Sequence, residues 1–167
     1  MSFNIILATD KDYGIAKNHK IPWYFSEDLK HFNSTTKNHK IIMGRYTADE
    51  LKKALPNRIN IVITSSESYI REGFISVGSL DAALRVANDI RLKEGKEIFI
   101  CGGRNIYNDC LKSDKIKKIY YTHINKSFDC DIYVDSILDN PNMNYTIVRK
   151  SIVDDVELTY YEIELKK

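Results

Sequence analysis

The chain contains no Cys-x-x-Cys pair, and its three cysteines, Cys101, Cys110 and Cys130, make an odd set. This argues against a disulfide framework and a zinc site, and predicts reduced thiols in a cytoplasmic protein. His31 and His123 lie outside any metal-ligand spacing, so no metal is expected. An excess of one charge is also missing: 25 Lys and Arg face 23 Asp and Glu, leaving +2. The lysines are scattered, which fits a solvated surface rather than a nucleic-acid partner. No long apolar run occurs. Phe3 to Ala8 is too short for a membrane span, lacks a basic leader and meets Asp10-Lys11-Asp12, so neither a membrane segment nor a signal peptide is expected. The Gly-x-Gly-x-x-Gly fingerprint is absent too, which leaves an ordinary Rossmann assignment unsupported.

What is present suits one soluble globular domain spanning residues 1–167: 43% hydrophobic and 29% charged residues in a length able to bury a core. Phe3-Asn4-Ile5-Ile6-Leu7-Ala8 reads as a buried strand, followed by a polar loop from Thr9 to Lys20. Further strands are predicted at Lys40–Gly44, Arg58–Ile63, Gly73–Val77, Glu97–Cys101 and Lys118–Ile124. Helices are predicted from Glu27 to about Thr35, from about Thr47 to Lys53, after a Ser79 cap with Leu80, Ala83, Leu84, Ala87 and Ile90 inward, and after Gly103 with Ile106, Tyr107, Cys110 and Leu111 inward. Tyr145–Lys150 and Leu158–Leu165 alternate like an antiparallel pair. The alternation of strands and helices predicts an α/β fold with a mostly parallel sheet and an antiparallel addition at its edge.

Ile21-Pro22-Trp23-Tyr24-Phe25-Ser26-Glu27-Asp28-Leu29-Lys30-His31-Phe32 sets one carboxylate in an apolar run. With Ser26 as N-cap, Asp28, Leu29 and Phe32 share a helical face, and that face should turn inward. A buried carboxylate costs several kcal/mol without a partner, and no Lys or Arg sits at helical spacing on that face. A ligand that donates hydrogen bonds is one partner; the alternative is an Asp28 that favours the helix dipole and sits in water.

Two strand-to-helix junctions carry anion-binding chemistry. Met43-Gly44-Arg45-Tyr46-Thr47 combines a glycine, a guanidinium and a hydroxyl; Cys101-Gly102-Gly103-Arg104-Asn105 combines adjacent glycines with helix amides. Each alone also fits a tight connection. Thr64-Ser65-Ser66 offers hydroxyls that suit a phosphate or a plain polar turn.

Taken in order, these segments resemble dihydrofolate reductase from Ile5 to about Asp131. The resemblance rests on Gly14-Ile15-Ala16-Lys17-Asn18-His19-Lys20-Ile21-Pro22-Trp23, Asp28, Ile41-Ile42-Met43-Gly44-Arg45, Leu55-Pro56-Asn57-Arg58-Ile59-Asn60, Ile100-Cys101-Gly102-Gly103 with Tyr107, and Tyr121-Thr122-His123-Ile124. It implies a single-domain α/β fold: a central, mostly parallel twisted sheet, flanking helices and an antiparallel C-terminal strand. It implies NADPH-dependent reduction of 7,8-dihydrofolate to tetrahydrofolate, a place in one-carbon metabolism, and an antifolate target. Asp28, Trp23 and Thr122 are then the catalytic group. Ile6, Leu7, Ile21, Asp28, Phe32, Leu51, Leu55, Arg58, Cys101 and Tyr107 are the substrate residues, with Arg58 on the glutamyl carboxylate. Ala8, Ile15, Gly44, Arg45, Tyr46, Thr47, Thr64, Ser65, Gly102, Gly103, Arg104, Asn105 and Ile106 are the cofactor residues, with Arg45, Thr64 and Ser65 on the 2′-phosphate. A monomer without nucleic-acid or membrane partners is expected.

The chain departs from the family at Ala48, where an aromatic is usual, and at Ala16, His19 and Arg104. Two other functions remain open on this fold: a pyrimidine reductase of riboflavin synthesis, and a non-catalytic NADPH- or RNA-binding module. The first leaves Trp23, Asp28 and Arg58 together unexplained.

Overall fold

The apolar runs form the sheet that their periodicity predicts. The computed structural model describes residues 2–89 and 96–167. Its elements are β1 (Phe3–Thr9), β2 (Gly14–Ala16), α1 (Ser26–Thr36), β3 (Lys40–Gly44), α2 (Arg45–Asp49), β4 (Ile59–Ile63), β5 (Phe74–Val77), α3 (Leu80–Asp89), β6 (Ile98–Ile100), α4 (Arg104–Leu111), β7 (Ile116–Ile124), β8 (Ile132–Tyr133), β9 (Met143–Val153) and β10 (Val156–Leu165). Eight strands pair in the order β5-β4-β3-β6-β1-β7-β10-β9. Pairing is parallel from β5 through β7, then antiparallel for β10 and β9.

Alternation along the strands divides the core between the two sheet faces. Ile5, Leu7, Ile42, Ile61, Ile100 and Ile119 pack with Ala83, Leu84 and Ala87 of α3 and Tyr107 and Cys110 of α4. Their sequence neighbours Ile6, Ile41, Met43, Val62 and Phe99 pack with Ala48 of α2, Phe32 of α1, Leu51 and Leu55. The carboxyl ends of β1, β3 and β6 therefore lie side by side, with helices leaving to both faces. That edge is where open parallel sheets take ligands.

Several boundaries differ from the sequence reading. The loop between Thr9 and Lys20 contains β2, which pairs with β8; strands of three and two residues are too short to show a period. Ser26 does not cap α1. Phe25 takes the N-cap position, buried in a cluster with Ile124, Leu158 and Tyr160, and its carbonyl accepts the Asp28 and Leu29 amides. Burial of that ring fixes the helix start one residue early and leaves Ser26 exposed. α2 begins at Arg45 and ends at Asp49, shorter and earlier than expected. β7 starts at Ile116, while β4 and β5 start at Ile59 and Phe74 and β6 covers only Ile98–Ile100. Ser79 caps α3 as expected, accepting the Ala82 amide at 3.1 Å. The expected inward Ile90 lies outside the described residues.

Candidate active site

The strand ends enclose a cavity of about 810 Å³, bounded by the 10–24 loop, α1, α2 and the start of α4. Asp28 lines it from the first turn of α1. Thr122 Oγ1 donates to Asp28 Oδ1 at 2.8 Å across the sheet. Burial raises the Asp28 pKa above its ordinary value of 3.8; the Thr122 bond and the charge of Arg149 pull it down, and Glu27 pushes it up. Arg149 was not visible as a neighbour in the sequence. It reaches the region through β-sheet register: Thr122 opposes Tyr160, and Tyr160 opposes Arg149. Its guanidinium carbon lies 4.2 Å over the Tyr160 ring, whose other neighbour is His31 at 4.8 Å. The inward face of α1 is therefore only partly as expected. Asp28 and Phe32 are half-buried, but Leu29 stays 47% exposed at the cavity mouth with Ile21 and Tyr24.

Apolar walls complete this end. Ile6, Leu7, Trp23, Phe32, Leu51, Leu55, Cys101 and Tyr107 all line the cavity. Tyr107 hydroxyl donates to Ile6 carbonyl at 2.8 Å, so its only polar atom is satisfied inside the sheet. Burial pushes the Cys101 thiol well up, which keeps that wall neutral. Asn60 shapes the Leu-Pro-x-Arg-x-Asn segment: its amide accepts from Leu55 N and donates to Leu55 O, both at 3.0 Å. Ala48 leaves no hole in the wall, because it lies on the sheet-facing side of α2, fully buried, and does not line the cavity.

The two glycine junctions close on each other. Gly44 N donates to Gly102 O at 2.8 Å. A Cβ on Gly44 would sit 3.2 Å from Ile106 Cδ1, and one on Gly102 would sit 3.0 Å from Thr47 Oγ1. Gly102 also has φ +124°, and the Gly102-Gly103 peptide is cis. Ala8, Ile15, Gly44, Arg45, Tyr46, Thr47, Gly102, Gly103, Arg104, Asn105 and Ile106 line this end of the same cavity. A side chain at Gly44 or Gly102 would press on these neighbours, so the close approach of the two junctions depends on glycine, and the backbone left bare at the start of α4 fits a phosphate-bearing group.

Three sequence candidates are not among the lining residues. Arg58 turns back onto α1, donating to Thr36 Oγ1 at 2.9 Å and to Asn33 O and Oδ1 at 3.1 and 3.0 Å. Thr64 Oγ1 accepts the Ser66 amide at 3.1 Å, and Ser65 is exposed. Conversely, the loop covering the cavity is anchored partly by Glu50 and Phe128, which the sequence did not single out. Glu50 Oε1 accepts Ile21 N at 3.1 Å, and His19 stacks on Tyr46 at 4.1 Å and 15°. Asp131 accepts Asn18 N through both oxygens, and Trp23 packs on Phe128 at 5.3 Å. Glu50 carried no signal in sequence, because its use depends on the loop's path over α2.

A family model described as dihydrofolate reductase matches residues 2–165. A dihydrofolate reductase of Ureaplasma parvum serovar 3 is 35% identical over 159 residues, covering 92% of each chain. One from Buchnera aphidicola subsp. Acyrthosiphon pisum is 42% identical over 137 residues, covering 81% of this chain and 78% of its own. Among solved structures, a dihydrofolate reductase from Enterococcus faecalis complexed with NADP(H) and RAB-propyl superposes with a TM-score of 0.85 at 24% identity. That match covers 99% of this chain and 97% of the other, and supports the fold. A pyrimidine reductase or a non-catalytic module is not favoured by these relatives.

Proposed function

This chain belongs to the dihydrofolate reductase family, and on that premise we propose how its own residues carry NADPH-dependent reduction of 7,8-dihydrofolate to 5,6,7,8-tetrahydrofolate. The observation that carries the assignment of roles is Asp28: one half-buried carboxylate, braced by Thr122, on the wall of a largely apolar cavity. The 2-amino group and N3–H of a pterin form a two-donor edge that matches a carboxylate in bidentate fashion. Pairing with that edge supplies the partner that the buried acid requires.

Thr122 is a positioning residue that fixes the Asp28 oxygen it touches. Ile6, Leu7, Phe32, Leu51, Leu55, Cys101 and Tyr107 clamp the pterin and aminobenzoyl rings, and Ile21 and Trp23 cover them. Arg58 takes the glutamyl carboxylate by giving up the bonds of its terminal nitrogens to Pro56 O and Asn33, while Thr36 keeps its Nε. Gly44 to Thr47 and Gly102 to Ile106 hold the dinucleotide, with Ala8 and Ile15 beside its nicotinamide. Arg45 takes the 2′-phosphate, with Thr64 and Ser65 placed beside it by Ile63, the preceding residue, which lines the same cavity. NADPH, when bound, supplies the hydride that reduces pterin C6. The protein orients the two rings and excludes bulk water from between them. Asp28 grips the pyrimidine edge of the pterin, remote from N5, so the N5 proton arrives from water. We propose further that residues 1–167 act as one cytoplasmic, monomeric unit without nucleic-acid partners.

The test is loss of NADPH absorbance on adding 7,8-dihydrofolate, run beside the aminopyrimidine substrate of riboflavin synthesis. Oxidation with dihydrofolate alone supports the assignment. Turnover only with the aminopyrimidine, or with neither, refutes it.

A further inference from the structure

Arg45 lines the cavity, yet its guanidinium is already engaged by residues that do not. Its Nε lies 3.6 Å from Asp49 Oδ2, one helical turn on, and its Cζ lies 4.9 Å from the Tyr69 ring centroid. A surface pair at this spacing ordinarily opens with little loss. Here the carboxylate is tied from a second side. Tyr69 hydroxyl donates to Asp49 Oδ1 at 2.7 Å, and Tyr69 is itself 9% exposed. Arg71 Nη1 donates to the same hydroxyl at 3.3 Å, and Arg71 is locked to Ala48 O and Leu51 O at 2.7 and 2.8 Å. Asp49 therefore stays beside Arg45 when an anion arrives. Glu50, the other acid of this turn, is occupied with the Ile21 amide.

We propose that Asp49 is a resident counter-anion of Arg45 that limits the preference of this chain for a 2′-phosphorylated nicotinamide dinucleotide over the unphosphorylated form. The inference rests on the reading of Arg45 as the partner of the 2′-phosphate. A phosphate monoester carries about −1.5 to −2 charges near neutral pH. It must share one guanidinium with a carboxylate that the Tyr69 hydroxyl holds in place, and the two anions repel. NADH brings no charge to that spot, so Asp49 leaves its binding unaltered. Asp49 acts through Arg45 and is a specificity residue without contact to the reacting atoms.

Dissociation constants of NADPH and NADH, read from quenching of Trp23, the single tryptophan, test this without turnover. The proteins are wild type, Asp49→Asn, Arg45→Gln and the double variant. Asn keeps an acceptor for the Tyr69 hydroxyl and removes only the charge. Asp49→Asn is expected to tighten NADPH binding about two- to fivefold, the scale of an exposed ion pair, with NADH unchanged. The gain shrinks as KCl screens the charges, and it vanishes in the Arg45→Gln background. Unchanged or weaker NADPH binding in Asp49→Asn, or an equal change for both cofactors, overturns the proposal while Arg45→Gln still abolishes discrimination. If Arg45→Gln keeps full discrimination, the role of Arg45 falls and the proposal with it.

Discussion

Asp28→Asn should move activity and stability in opposite directions. The substitution preserves size but replaces one oxygen of the pterin clamp with an NH₂, which faces a ligand donor instead of accepting from it. Breaking one side of a buried charge-assisted pair costs about 3–5 kcal/mol, or about two to three and a half decades of kcat/KM. In the free protein the same carboxylate is a burden. Burial raises its pKa above 3.8, with Thr122 and Arg149 only partly opposing the shift. A carboxyl whose folded pKa exceeds its unfolded value binds protons more tightly when folded. Its contribution to stability therefore falls as pH rises through that interval, and the full penalty persists above it. Removing the charge should stabilise the ligand-free fold at pH 8 by about 0.5–2 kcal/mol, the usual gain from relieving a functional site. For a chain of this length that is a Tm rise of about 1–8 °C. The assays are thermal denaturation without ligands at pH 8 and pH 5, and NADPH oxidation by dihydrofolate. The Tm gap should narrow at the lower pH. An equal or lower Tm for the variant at pH 8, or near-normal turnover, refutes the reasoning.

Thr122→Val removes the 2.8 Å bond that favours the charged form of Asp28. The Asp28 carboxyl, followed by ¹³C NMR in the free protein, should then titrate at higher pH, and an unmoved midpoint contradicts the bracing role. Gly102→Ala places a methyl 3.0 Å from Thr47 Oγ1 and 3.4 Å from Tyr107 at φ +124°. Urea denaturation should show a loss of about 1–3 kcal/mol, and wild-type stability argues against the tight junction. His19→Ala removes the stack on Tyr46 and about 0.5–1.5 kcal/mol of loop closure. Amide exchange at Lys17, Lys20 and Ile21, each bonded in the closed loop, should accelerate about two- to tenfold; unchanged rates mean the stack does not hold the loop.

The sheet was legible because Ile5–Leu7, Ile41–Met43 and Ile98–Ile100 are unbroken apolar runs, the pattern of strands buried on both faces. Asp28 was legible because helical spacing alone sets it beside Phe32. The glycine junctions could be seen for the same local reason, since Gly44 ends β3 and Gly102 follows β6 by two residues. What escaped depends on contacts distant in sequence. Phe25 displaced Ser26 from the cap through packing on β7 and β10, which no propensity encodes. Arg149 approaches Asp28 only through the register of three strands. Glu50, Asp49 and Tyr69 act through side-chain bonds across loops, and residue type alone does not specify those directions. Arg58, Thr64 and Ser65 were identified by motif, but Arg58 bonds to α1, Thr64 bonds within its own turn and Ser65 is exposed.

A crystal structure of this chain with bound folate tests the account most directly. The account predicts both Asp28 carboxylate oxygens about 2.7–2.9 Å from pterin N3 and the 2-amino nitrogen, with Thr122 still bonded to one of them. A pterin seated against another wall, or an Asp28 side chain turned out to bulk water, contradicts it.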